Sequence, residues 1–140
     1  MANLKPIPGG MPPKGQVVLV VEDEPMIRIA LCTDLEARGF EIREAACAAD
    51  AIEILREPGC PVDLVFSDVR MPGAMDGLGL SRWVFENRPN IPVILASGDL
   101  GKETAMKDLW GAEAIVKPYG FDAAADRIRE LMAGRRLSRS

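Results

Sequence analysis

The chain has 140 residues, about one domain's worth, and its 48% apolar and 27% charged residues match a soluble globular domain that buries its own core. It contains no histidine, which excludes Ser-His-Asp and Cys-His catalysis, HExxH zinc sites and a phosphohistidine carrier. A net charge of −4 and only 5% aromatic residues argue against nucleic-acid binding by bulk charge or by base stacking.

In chain order, residues 1–15 come first and hold Pro6, Pro8, Pro12 and Pro13; this stretch is predicted to be a flexible leader. It lacks the apolar core of a signal peptide. Val17–Val21 follows as a continuous apolar run, the pattern of a parallel strand buried on both faces. Ile27, Leu31 and Leu35 fall at helical spacing and predict a first helix, with Gly39 as its stop. Residues 41–46 are mixed and read as a strand near a sheet edge. Ala51 and Leu55, ahead of Pro58 and Gly59, mark a second helix. Residues 62–66 form the third apolar run, and Leu80 and Val84 mark a third helix. The run 91–96 is the fourth strand; Ala105 and Leu109, before Gly111, mark a fourth helix. Residues 114–116 are the fifth strand. Ala124, Ile128, Leu131 and Met132 mark a fifth helix, with Arg135, Arg136 and Arg139 trailing off its end.

This rhythm predicts an α/β domain over residues 16–137, a doubly wound parallel sheet, with 138–140 as a tail. No apolar run is long enough to span a membrane. Cys32, Cys47 and Cys60 show no CxxC spacing, which predicts reduced thiols and, with no signal peptide, a cytoplasmic protein.

In doubly wound sheets the site lies at the carboxyl ends of the strands. Here the first run ends in Glu22, Asp23 and Glu24, the third in Ser67 and Asp68, the fourth in Ser97, and the fifth in Lys117 and Pro118. Any one of these reads as a helix cap or a solvated turn. Together they direct carboxylates, a hydroxyl and an ammonium toward one crevice. Clustered carboxylates raise one another's pKa values, a conflict that a hard divalent cation removes. Mg²⁺ takes oxygen ligands, commonly one or two carboxylates with phosphate oxygens. A carboxylate beside it is placed to accept a phosphoryl group as an acyl phosphate. Lys117 and the Ser97 hydroxyl suit the charged oxygens of the transferred group.

The strings VVLVVEDEP, VFSDVRMPG, PVILASGD and IVKP resemble the response-regulator receiver domain of two-component signalling, over about residues 16–135. The resemblance implies a (βα)5 flavodoxin-like fold with strand order 2-1-3-4-5. It implies that Asp68 is the phosphoacceptor, Ser97 the switch hydroxyl and Lys117 the site lysine, with a cis bond to Pro118. Mg²⁺ is the implied cofactor. Asp23 and Asp68 ligate it directly, Glu22 acts mainly through water, and the backbone carbonyl of Arg70 completes the protein ligands. The implied function is a switch rather than an enzyme with its own substrate. It takes its phosphoryl group from a sensor histidine kinase or a histidine phosphotransfer protein. The implied downstream target is a protein, bound through the fourth helix, fifth strand and fifth helix, the face that also serves a homodimer. Nucleic acid and membrane are not expected as partners.

The chain departs from the family at several points. Ala114 stands where the family often has an aromatic that swings inward. The loop 71–77 is one residue longer than the common form, and no output domain follows Leu137, which reads as a stand-alone receiver. Other readings fit less well. An aspartyl phosphatase needs an acid two residues after the nucleophile, where this chain has Arg70. A flavin-binding relative needs a hydroxyl-rich phosphate loop where Glu22, Asp23 and Glu24 stand. A degenerate interaction module has no need of the complete acidic, Ser and Lys set. Trp83 and Trp110 read as partly buried anchors, and Arg127, Arg129, Arg135, Arg136 and Arg139 as a solvated basic face. Lys102, Met106, Trp110 and Tyr119 are expected together near the fourth helix and fifth strand. Arg70 and Asp99 are expected to pair across the mouth of the site.

Overall fold

Strands made of unbroken Val, Leu and Ile need cover on both faces. In a computed structural model of the chain, which describes residues 16–98 and 109–139, they receive it. Strands β1 (Val17–Val21), β2 (Glu41–Ala45), β3 (Leu64–Asp68), β4 (Val93–Ser97) and β5 (Glu113–Val116) form one sheet in the order β2-β1-β3-β4-β5, with every pairing parallel. Helices α1 (Pro25–Ala37), α2 (Ala48–Leu55), α3 (Gly77–Asn87) and α4 (Phe121–Arg139) cover it. Alternate side chains of each strand point to opposite faces. Val18, Val20, Phe66 and Ile94 therefore meet Leu31 and Leu35 of α1 and Ala124 and Ile128 of α4. Leu19, Val21, Val65 and Leu95 meet Leu55 of α2 and Leu80 and Val84 of α3. Fully burying each large side chain contributes roughly 1.5–3 kcal/mol before chain entropy is counted. The flavodoxin-like (βα)5 order expected from the resemblance is the order found.

Element ends follow local chemistry. The Glu24 carboxylate accepts from the Met26 N–H at 3.3 Å and Pro25 opens α1, while Gly39, at φ 101°, lets the chain leave it. Asp76 caps α3 by accepting from the Gly79 N–H at 3.0 Å. β3 starts at Leu64, not at 62. Asp63 is occupied with the start of β1: its N–H donates to the Val17 carbonyl, and its carboxylate accepts from the Val17 N–H, both at 2.8 Å. β4 starts at Val93, not at 91, because Pro92 has no N–H for the ladder. Both strands run further forward than their apolar stretches. Asp68 pairs with Ala96 and Ser97 with Val116, so the polar residues at these ends belong to the sheet.

Several expectations are corrected. The last helix carries on through 138 and 139, the residues expected to form a tail. Trp110 and Tyr119 flank β5, one before it and one after it, and have different ring partners. The Trp110 ring lies 5.7 Å from Phe85 of α3 with the Arg82 guanidinium 5.0 Å from its centroid, whereas Tyr119 packs edge-on against Phe66 at 5.5 Å. Arg129 is exposed and Arg127 half-buried, in keeping with a solvated face, and each is paired with acidic neighbours. Arg127 bridges Glu113 and Glu130, and Arg129 pairs with Asp126 and lies over the Phe40 ring. The leader, the body of the predicted fourth helix, Lys102, Met106 and Asp99 lie outside the described residues. Leu109, Trp110 and Gly111 at that helix's predicted end lie outside any helix, Trp110 at φ 57° and Gly111 at φ 79°. Cys32 is buried, Cys47 and Cys60 are half-buried, and all three are free thiols. Among the described residues, no helix is long and apolar enough to cross a membrane.

Candidate functional site

The forward ends of β1, β3, β4 and β5 lie side by side, and each delivers one part of the site. β1 runs straight into Glu22, whose N–H donates to the Ala45 carbonyl at 3.0 Å and so extends the sheet by one rung. Glu22 is buried and Asp23, the next residue, is exposed. Asp68, the last residue of β3, is 9% exposed, and Ser97, the last of β4, is 3% exposed. The Lys117 N–H donates to the Ser97 carbonyl at 2.8 Å, which carries β5's register forward to the lysine. The Lys117–Pro118 peptide bond is cis, as the resemblance implied.

The side chains converge. One carboxylate oxygen each from Glu22, Asp23 and Asp68 lies within 4.8 Å of the others. Lys117 Nζ donates to Asp68 Oδ2 at 2.7 Å, and the Arg70 N–H donates to Asp68 Oδ1 at 3.3 Å. Each Asp68 oxygen thus has a donor, one charged and one from the backbone. Glu22 Oε2 accepts from the Glu24 N–H at 3.1 Å. Burial, together with the nearby charges of Asp68 and Asp23, still holds the Glu22 carboxyl above the usual carboxylate range, against the Glu24 N–H and Lys117. Tyr119 registers the same field from below. Burial and the charges of Glu22 and Asp68 push its phenol up to about 12.

Three carboxylates face one ammonium here, and the donor set is all oxygen. A hard divalent cation fits both the excess negative charge and the ligand type. Glu22, Asp23 and Asp68 are the residues placed to hold one. Of the residues singled out in the sequence, the structure brings Glu22, Asp23, Asp68 and Lys117 into direct reach. Ser97 stands on the neighbouring strand, one residue beyond Ala96, the register partner of Asp68. Arg70 is exposed, two residues past the end of β3, and its N–H donates to Asp68. Two neighbours had no sequence signal as site residues. Arg28 reaches back from α1 to the Glu22 carbonyl, and Tyr119, packed on Phe66, feels the charges of Glu22 and Asp68. A lone arginine on the otherwise apolar stretch Met26–Leu31 was the available hint for the first.

Comparison with known proteins agrees with this geometry. A family model described as the response regulator receiver domain matches residues 18–129. The sensor kinase CckA of Brucella abortus is 37% identical over 119 residues, which cover 82% of this chain and 12% of that protein. A receiver domain protein of Clostridium thermocellum superposes with a TM-score of 0.78 at 28% identity, covering 87% of this chain and 98% of that one. The response regulator TrrA of Thermotoga maritima, solved in complex with Mg(2+)-BeF, superposes with a TM-score of 0.73 at 27% identity over 83% of this chain and 98% of that one. The chain spans 12% to 49% of the length of curated relatives of this kind.

Proposed function

The chain belongs to the response regulator receiver domain family, and from that premise we propose that it is a phosphorylation-controlled switch with Asp68 as its phosphoacceptor. The observation that carries the reading is the meeting of Glu22, Asp23 and Asp68 within 4.8 Å, with Lys117 seated on Asp68. In the proposed transfer an Asp68 carboxylate oxygen forms the new bond to phosphorus. The bond from phosphorus to the donor breaks, and the electron pair leaves with the donor. For a histidine kinase or a histidine phosphotransfer protein that donor atom is an imidazole nitrogen. Mg²⁺, when bound by Glu22, Asp23, Asp68 and the Arg70 carbonyl, supplies positive charge against the phosphoryl oxygens.

The chain's own residues do the rest. The Arg70 N–H and Lys117 fix the two Asp68 oxygens, so the carboxylate is already oriented before the donor arrives. Lys117 gives up its place on Asp68 for a phosphoryl oxygen as the group settles. Ser97, at the end of β4, offers its hydroxyl to another oxygen and so couples the modification to the segment that follows β4. The chain catalyses only its own phosphorylation and dephosphorylation, in the cytoplasm, and passes the signal to a protein target.

Acetyl phosphate with Mg²⁺ tests the assignment. Intact-mass spectrometry is expected to show one added phosphoryl group on the wild type and none on Asp68→Asn. Equal modification of both, or of neither, rejects it.

A further inference from the structure

Arg28 stands outside the phosphoryl chemistry just proposed, yet it is tied to the acidic pair. It lies on the first turns of α1, and its side chain is only 18% exposed. Nη1 donates to the backbone carbonyl of Glu22 at 2.8 Å, and Nε donates to Glu44 Oε1 of β2 at 3.1 Å. The main-chain N–H of Arg28 donates to the Glu24 carbonyl at 2.9 Å. The turn 22–24 is thereby held at three further points: the Glu22 N–H on Ala45, the Glu22 carboxylate on the Glu24 N–H, and the Glu24 carboxylate on the Met26 N–H. Through the Nη1 bond the guanidinium holds the carbonyl that joins Glu22 to Asp23. That peptide unit sets where both carboxylates point.

We infer that Arg28 is a positioning residue for the metal site: by anchoring the Glu22 carbonyl to β2 through Glu44, it aims the Glu22 and Asp23 carboxylates at Asp68. The inference rests on the reading of this pocket as a Mg²⁺ site. Geometry and charge make opposite predictions for it. A guanidinium near a dication is repulsive, so if Arg28 acted through charge alone its removal would tighten Mg²⁺ binding. If it acts by orienting ligands, its removal weakens binding. Partners that orient metal ligands typically contribute about 10- to 100-fold in affinity. Arg28 acts through the main chain, so the lower end, about tenfold, is expected. Lysine keeps the charge but offers a single ammonium where two separate nitrogens each have a fixed acceptor.

The experiment is Mg²⁺ titration by calorimetry of the wild type, Arg28→Met, Arg28→Lys, Glu44→Gln and Asp23→Asn. Melting temperatures and hydrogen exchange over residues 22–24 are measured in EDTA. Arg28→Met is expected to bind Mg²⁺ about tenfold more weakly and to exchange faster at 22–24, and Arg28→Lys to recover only part of the loss. Glu44→Gln is expected to weaken binding by less, since it leaves the donor to Glu22 in place and does not endanger the fold. Unchanged or tighter binding in Arg28→Met, or full recovery by lysine, overturns the inference while the functional reading stands. A wild type that binds no Mg²⁺, or an Asp23→Asn that binds as well as wild type, overturns the functional reading and this inference with it.

Discussion

At the scale of single residues, Glu22 carries the electrostatic strain of the site. Lys117 compensates Asp68 directly, whereas Glu22 is buried beside two other carboxylates and receives only one backbone N–H. Its folded-state pKa is raised, so between the unfolded value and the raised one the native state holds more protons than the unfolded state, and stability falls as pH rises through that window. The contribution is absent below the unfolded pKa and destabilising at neutral pH. In EDTA, Glu22→Gln is therefore expected to melt above wild type at pH 7, with the gain shrinking toward about pH 4; melts across that range check it. Cys32 makes a second test. Burial first, then Glu44 and Glu36, push its thiol up to about 12, so little thiolate exists near neutrality. Iodoacetamide at mildly alkaline pH, followed by peptide mass mapping, is expected to label Cys47 and Cys60 well before Cys32. Glu22, Asp23, Asp68 and Lys117 were legible in the sequence because each directly follows or ends an apolar run, and a strand can point its end in only one direction. Arg28 was not, because its acceptor is a backbone carbonyl six residues back, and carbonyls leave no mark in a sequence.

At the scale of elements, the loop from β3 to α3 shows how close packing fixes an acceptor. A Cβ on Gly77 would lie 2.2 Å from the Asp68 carbonyl oxygen and 2.8 Å from the Val69 Cα, while the Gly77 N–H donates to the Val69 carbonyl at 2.7 Å. The first residue of α3 is pressed onto the backbone of the acceptor, and only glycine leaves room. Gly77→Ala is expected to destabilise the fold by ~1–3 kcal/mol or more, the range for overpacked sites, and to slow modification of Asp68. Gly79→Ala is the control. Its Cβ would meet Met75 Cγ at 2.6 Å, an atom of an unbranched side chain rather than backbone, and a smaller loss is expected. Denaturant midpoints compare the two. Four strands were legible from apolar runs and β2 from its mixed edge pattern, while the strand order came with the family resemblance; the strand ends were misplaced by up to two residues. Pro92 and Asp63 delayed two starts through hydrogen-bonding chemistry that hydrophobicity does not record. Asp68 and Ser97 prolonged the same strands because the ladder needs only backbone groups.

At the scale of the whole molecule, the fold places its net negative charge where a ligand has to answer it. A cation that binds only the native state stabilises by RT ln(1 + [L]/Kd), about 2.7 kcal/mol at a hundredfold excess over Kd. Mg²⁺ is expected to raise the melting temperature of the wild type relative to EDTA and to leave Asp23→Asn unmoved. The doubly wound plan was readable because only a sheet with helices on both faces buries five such strands. Side-chain partnerships across the surface were not readable, as Arg127 and Arg129 show: on the solvated face expected of them they pair with Glu113, Glu130 and Asp126. Tyr119 has a practical consequence of its own. It is the chain's one tyrosine, and it feels the charges of Glu22 and Asp68, while Trp83 lies on α3 and Trp110 packs against Phe85 of the same helix. A phenolate absorbs at longer wavelength than a phenol, so an alkaline spectrophotometric titration of this protein follows a single ring. Burial is the larger cause of its raised pKa, and the carboxylates add to it, so neutralising them is expected to draw the midpoint down only in part. The molecule thus carries one phenol that answers first to its burial and then to the charge of the pocket, with no label attached.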